Sequence, residues 1–198
     1  MRRRFAAACL IGLALLGPVW AEEAPRRSAA ELMDVLMWNR EPVGGPFALI
    51  DQDGRPRTEA DFRGKLVLLT FGYTGCPDVC PTDLMAIARA LDLLGAAGDA
   101  IQPIFVTLDP ASDTPAVLAE FVPSFHPRLI GLTGSEAAIG RAADAFKVFY
   151  RPAQDAIEHS AFVYLLDRQG RYLGFFPPGT SAERMLTIIR PHLQPPQR

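Results

Sequence analysis

Cysteine is scarce in this chain: 198 residues hold three, Cys9, Cys76 and Cys80. That is too few for the disulfide framework that staples small exported folds, and a chain of this length can build a core without one. Charge of one sign is missing too. Twenty basic against 22 acidic side chains leave a net charge of -2, which removes the electrostatic reason to propose nucleic acid as a partner. Internal repeats and low-complexity segments are absent, so neither a solenoid nor a disordered array fits, and 18 prolines with 16 glycines indicate punctuated loops. Met33, Met37, Met85 and Met185 form no methionine-rich cluster and read as core or connecting residues.

Long apolar runs are also lacking. The one near the start, Phe5 to Leu16 followed by Pro18, Val19, Trp20 and Ala21, ends short of the roughly 20 residues that span a bilayer. With Arg2, Arg3 and Arg4 before it and a small residue after it, residues 1–21 read as a signal peptide cut after Ala21, with an uncleaved anchor as the alternative. Export to the periplasm follows, and removal of the signal takes Cys9 with it. Cys76 and Cys80 are left.

Residues 22–46 mix charge, proline and glycine around one apolar patch, Leu32 to Trp38, and read as a flexible tether containing at most a short helix. A domain is expected over 47–193, with 194–198 as a tail. It opens with a hairpin: Phe47 to Ile50, a turn at Asp51 to Gly54, and a second segment near Arg57. Lys65 to Phe71 has the continuous apolar character of a strand buried on both faces. It runs into a loop over Gly72 to Cys80 and then a helix over Thr82 to Leu94, with Leu84, Ile87, Ala88, Leu91 and Leu94 at helical spacing. The alternation continues with strand Gln102 to Leu108, helix Thr114 to Phe121, strand Leu129 to Leu132 and helix Ser135 to Phe146. An antiparallel hairpin, Ala161 to Asp167 and Arg171 to Phe176, precedes a last helix, Ser181 to Ile189. This pattern predicts an α/β protein of thioredoxin-like fold, with a central mixed sheet flanked by helices and an added N-terminal hairpin.

In GYTGCPDVCPTDL the two cysteines stand at the carboxyl end of a buried strand and the entry to a helix, the edge where open α/β sheets gather reactive groups. Unpaired amides and the positive helix end favour thiolate there. Two thiolates four positions apart can close a disulfide when oxidised, or act as a soft donor pair for Cu(I) or zinc when reduced. Such a pair needs further donors. Of His126, His159 and His192, only His159 precedes the strand expected beside the thiol strand, so its loop can overhang the cysteines; the other two read as ordinary loop or terminal residues. Asp78, Asp109 and Asp113 could tune the charge of the site. The plainer reading makes Asp113 the cap of the helix near Thr114 and Asp78 a solvated group.

The stretch GYTGCPDVCPTDL resembles the signature of the Sco/SenC proteins, copper-binding accessory factors for cytochrome c oxidase assembly. DPASDT, from Asp109 to Thr114, resembles that family's acidic turn, and EHSAFVYLLDRQGRY, from Glu158 to Tyr172, resembles its histidine segment. The resemblance runs from about Phe47 to Leu193. It implies a thioredoxin-like domain that binds one copper ion, Cu(I) or Cu(II), through Cys76, Cys80 and His159, with Cys76 and Cys80 forming a disulfide when oxidised. It also implies a monomer acting on the copper A centre of oxidase subunit II, or on another periplasmic copper protein, as metal donor, as reductant, or as both. Ser112 stands where an arginine is frequent, and Ala156 where an aromatic is common; neither substitution removes an implied ligand. The competing reading from the residues alone is a thiol–disulfide oxidoreductase using Cys76 and Cys80 as its catalytic pair. A peroxidase would need a peroxide-orienting arginine near the thiols, and the sequence offers no obvious one.

Overall fold

The computed structural model describes residues 29–38, 41–76, 79–154 and 156–193. In chain order the elements are α1 (Ala29–Trp38), β1 (Ala48–Asp51), β2 (Pro56–Thr58), β3 (Leu66–Gly72), α2 (Val79–Leu94), β4 (Ile101–Thr107), α3 (Pro115–Phe121), β5 (Ile130–Thr133) and α4 (Glu136–Ala145). They continue with β6 (Tyr150–Pro152), β7 (Ile157–His159), β8 (Val163–Leu166), β9 (Tyr172–Phe176) and α5 (Ala182–Leu193). Seven strands make one mixed sheet in the order β2-β1-β5-β4-β3-β8-β9, and β6 and β7 make a separate two-stranded sheet. β3 runs parallel to β4, and β4 to β5, whereas β8 lies antiparallel against β3. The expected N-terminal hairpin is present: β1 pairs with β2 and joins the main sheet through β5.

β3 is buried over its whole length, which its unbroken Leu, Val and Phe content requires, since both faces of a central strand must be covered. Val67, Leu69 and Phe71 pack with Ile104, Val106, Tyr164, α1 and α4 on one face. Leu66 and Leu68 pack with Phe105, Val163, α2, α3 and α5 on the other. The result is three layers, helix on sheet on helix.

The expectation of a flexible tether over 22–46 is corrected for its described part. Val35 and Leu36 are buried in the first core face, and the Tyr172 hydroxyl on β9 donates to the Leu36 carbonyl at 3.0 Å. Farther along, Val43 is buried and the Gly44 amide donates to the Ala145 carbonyl at 2.9 Å. Gly44 sits at φ +82° with its Cα face toward the Phe146 ring, a backbone state that a side chain would strain. The expected signal (1–21) and tail (194–198) lie outside the described residues. No described helix is long and apolar enough to cross a membrane.

Candidate metal centre

The carboxyl end of β3 leads into the thiol loop. The Leu108 amide donates to the Gly72 carbonyl at 2.6 Å, carrying the β3–β4 pairing one step past the strands. Tyr73 is still buried. A turn follows, closed by the Cys76 amide donating to the Tyr73 carbonyl at 3.2 Å, and it leaves Cys76 half-buried at the sheet edge. α2 starts at Val79, three residues earlier than the periodicity predicts, so the Cys80 backbone belongs to the first helical turn rather than to the loop. The side chain of Cys80 lies outside the described residues, as do Pro77 and Asp78 and therefore the expected Cys76–Cys80 disulfide.

His159 closes β7, opposite Tyr150 on β6. This hairpin falls outside the strand pattern read from the sequence. It continues past its last pair, with Ser160 N–H donating to the Phe149 carbonyl at 2.8 Å and Phe149 N–H to Ser160 Oγ at 3.1 Å. The His159 ring meets Tyr73 edge to face, with centroids 6.1 Å apart and planes at 80°. Tyr73 is three residues before Cys76, so the contact brings the imidazole to the thiol loop. His159 Nδ1 lies 3.1 Å from the Ser160 carbonyl. A carbonyl only accepts, so Nδ1 carries the proton and Nε2 the lone pair. Burial, partly offset by that hydrogen bond, lowers the imidazole pKa below its ordinary value and favours the neutral ring that a metal requires. A thiol at a helix entry and a neutral imidazole are suitable chemistry for a soft cation.

The remaining candidates are dispersed. His126 Nδ1 accepts from the Arg128 amide at 3.1 Å, and its Nε2 lies 3.9 Å from an Asp92 carboxyl oxygen. It is a local turn residue, as read from the sequence. His192 sits in the last turn of α5, exposed. No cluster of three or more His, Cys, Asp or Glu side chains suited to a metal occurs among the described residues, a set that omits the Cys80 side chain.

Asp113 does not cap α3. Thr114 does, its hydroxyl accepting from the Val117 amide at 3.3 Å. Asp113 is buried at 1% exposure and turns toward the thiol loop. There it accepts from the Thr74 amide at 3.0 Å and from the Thr74 and Thr107 hydroxyls. Thr107 in turn accepts from the Asp109 amide at 2.9 Å. Tyr73 and Thr74 stand inside the GYTGCPDVCPTDL stretch, where sequence reading assigns them no role; their contacts with His159 and Asp113 do.

A half-buried thiol at the strand-to-helix edge, with an imidazole held beside its loop, defines a thioredoxin-like domain whose chemistry sits at that edge. The family model described as SCO1/SenC matches residues 37–194, and the chain belongs to that family. It is 38% identical to a SCO2-like protein of Rickettsia prowazekii over 91% of each chain. Among solved structures it resembles Arabidopsis thaliana ScoI with copper bound (35% identity, TM-score 0.73, 76% of this chain and 98% of that one). Bradyrhizobium japonicum ScoI, also with copper bound, is 37% identical with a TM-score of 0.70 over 76% of this chain and 99% of that one.

Proposed function

We propose that this protein takes up one copper ion through Cys76, Cys80 and His159 and hands it on during assembly of the copper A centre of cytochrome c oxidase subunit II. Residues 1–21 would direct it to the periplasm. The observation that carries this reading is the Tyr73–His159 ring contact, which holds a neutral imidazole beside the thiol loop. Membership of a family with copper-bound relatives supports it. In this reading the two thiolates bind copper as cargo and His159 Nε2 completes the donor set. Handover proceeds by ligand exchange, a partner thiolate replacing one donor of this chain at a time. Because every donor must be deprotonated, uptake weakens as pH falls.

Anaerobic titration of the reduced protein with Cu(I) against a competing chelator is expected to give one tight equivalent. His159→Ala should lose Cu(II) retention far more than Cu(I) retention; equal retention of Cu(II) by variant and parent removes His159 from the donor set. A thiol–disulfide oxidoreductase is the second reading, favoured by the Cys80 backbone standing in the first turn of α2, where the helix dipole stabilises a thiolate. Indifference to copper combined with rapid reduction of a model disulfide would decide for it.

A further inference from the structure

We propose that Asp113 is a positioning residue for copper uptake, a carboxyl group that fixes the turn between Tyr73 and Cys76 from the neighbouring strand's loop. This deepens the reading above and rests on it. The turn is closed by the Cys76 amide on the Tyr73 carbonyl, with Thr74 and Gly75 at its centre. Thr74 is the residue that Asp113 grips, through both its amide and its hydroxyl. One end of the gripped turn is Cys76. At the other end is Tyr73, whose ring faces His159, so one carboxyl group sets the thiol and the support of the imidazole together.

The grip is itself braced. Thr107, at the end of β4, donates its hydroxyl to Asp113 while accepting from the Asp109 amide, and the Asp113 amide donates to the Asp109 carbonyl at 2.8 Å. Asp113, Thr107 and Thr74 span the gap between two parallel strands at the edge where the donors sit. A buried carboxyl group answered by an amide and two hydroxyls is costly to disturb. Donors held within a narrow geometry by such a support lose less freedom when they bind.

The test compares Asp113→Ala, Asp113→Asn and Asp51→Ala, where Asp51 is a buried carboxylate in the β1–β2 hairpin. Each is measured by Cu(I) titration against a chelator, thermal unfolding, and exchange of the Thr74 amide in the copper-free protein. D113A is expected to weaken Cu(I) retention at least tenfold and to expose the Thr74 amide to exchange. D113N presents one oxygen to the amide and the Thr107 hydroxyl and an NH2 to the Thr74 hydroxyl, and should restore both readouts to within about threefold of the parent. D51A should lower the unfolding midpoint yet leave retention within twofold. Should D113A fail to fold, Thr107→Val, which withdraws a single hydroxyl, is expected to give the same pattern at smaller size.

Parental retention in D113A overturns the proposal, as does loss in D113N equal to that in D113A, or loss in D51A equal to either. A parent that binds no copper overturns the copper reading and the assigned role with it, while Thr74 exchange still reports whether the grip exists.

Discussion

The two flanks of the sheet and its thiol edge treat buried polar groups in opposite ways. On the flanks, the β1–β2 and β8–β9 hairpins share one turn. Asp51 accepts from the Asp53 and Arg55 amides and the Arg57 guanidinium, and Asp167 accepts from the Gln169 and Arg171 amides and the Arg171 guanidinium. Gly54 and Gly170 occupy the matching left-handed positions, at φ +78° and +80°. These carboxylates are answered within a few residues of themselves. Around the thiol strand the account is different. Asp113 is answered by Thr107, six positions back, and otherwise by reaching across 39 positions to the amide and hydroxyl of Thr74. Asp83, one helical turn beyond Cys80, is buried with the Gly179 amide as its hydrogen-bond donor at 2.9 Å. Tyr164, opposite Leu69 of β3, has a buried hydroxyl with no partner among the described residues. The flanks are built for stability, while the thiol side also holds two groups, Asp83 and Tyr164, whose burial lowers it, an arrangement typical of functional sites.

That contrast can be broken at several points. The largest effect is expected on a flank: Asp51→Ala should cost about 2 kcal/mol in denaturant unfolding at pH 7, because it strands two amides and a guanidinium. The same variant tests the acid limb. Burial, the largest single influence on Asp51, would raise its pKa. The Arg55 amide, the Arg57 side chain and the Asp53 amide together outweigh burial and hold the group below the ordinary carboxylate range. Asp167 behaves alike, with the Arg171 amide and side chain and the Gln169 amide opposing burial. A folded-state value below the unfolded one gives stability that is complete above the unfolded value, near 4, and lost as pH falls through the folded value. The cost of D51A should therefore shrink as pH is lowered from about 5 toward 2; a cost constant across that range would refute the assignment.

On the thiol side the signs reverse. Tyr164→Phe removes the unanswered hydroxyl and should raise stability by about 1 kcal/mol; a loss of similar size would mean that the hydroxyl has a partner. Asp83→Asn is expected to give a smaller gain. Burial pushes the Asp83 pKa up, only partly opposed by the Gly179 amide. A carboxyl group raised in the folded state destabilises once pH exceeds its unfolded value, and does not below it. The gain from D83N should appear at pH 7 and vanish by about pH 3, with the Asn oxygen still accepting from Gly179. Unfolding midpoints of the two chains that differ equally at both pH values would sink this account.

The flanks are also the part that could be read without coordinates. The turns at Asp51 to Gly54 and Arg168 to Gly170 show themselves through short-range chemistry, and β3, β4 and the helices through the spacing of their apolar residues. The edge placement of Cys76 and the nearness of His159 follow from strand order, which the alternation of elements predicts. What escaped depends on partners far away in the chain. β6 and β7 are three residues each, Tyr150–Pro152 and Ile157–His159, too short for a period to register. The described part of 22–46 looks solvated by composition, yet Val35 and Leu36 find their cover on the sheet. Asp113 beside Thr114 resembles a cap until the Thr74 contact is seen.

The fastening of α1 to β9 also bears on how the domain can be handled. A fragment begun at Phe47, the natural place to cut by composition, would drop Leu36 and leave the Tyr172 hydroxyl without the carbonyl it meets at 3.0 Å. It would also uncover the part of the sheet face that Val35 and Leu36 close, an apolar patch through which molecules could associate. Such a fragment is expected to aggregate during purification, whereas one begun at Ala29 keeps its own seal.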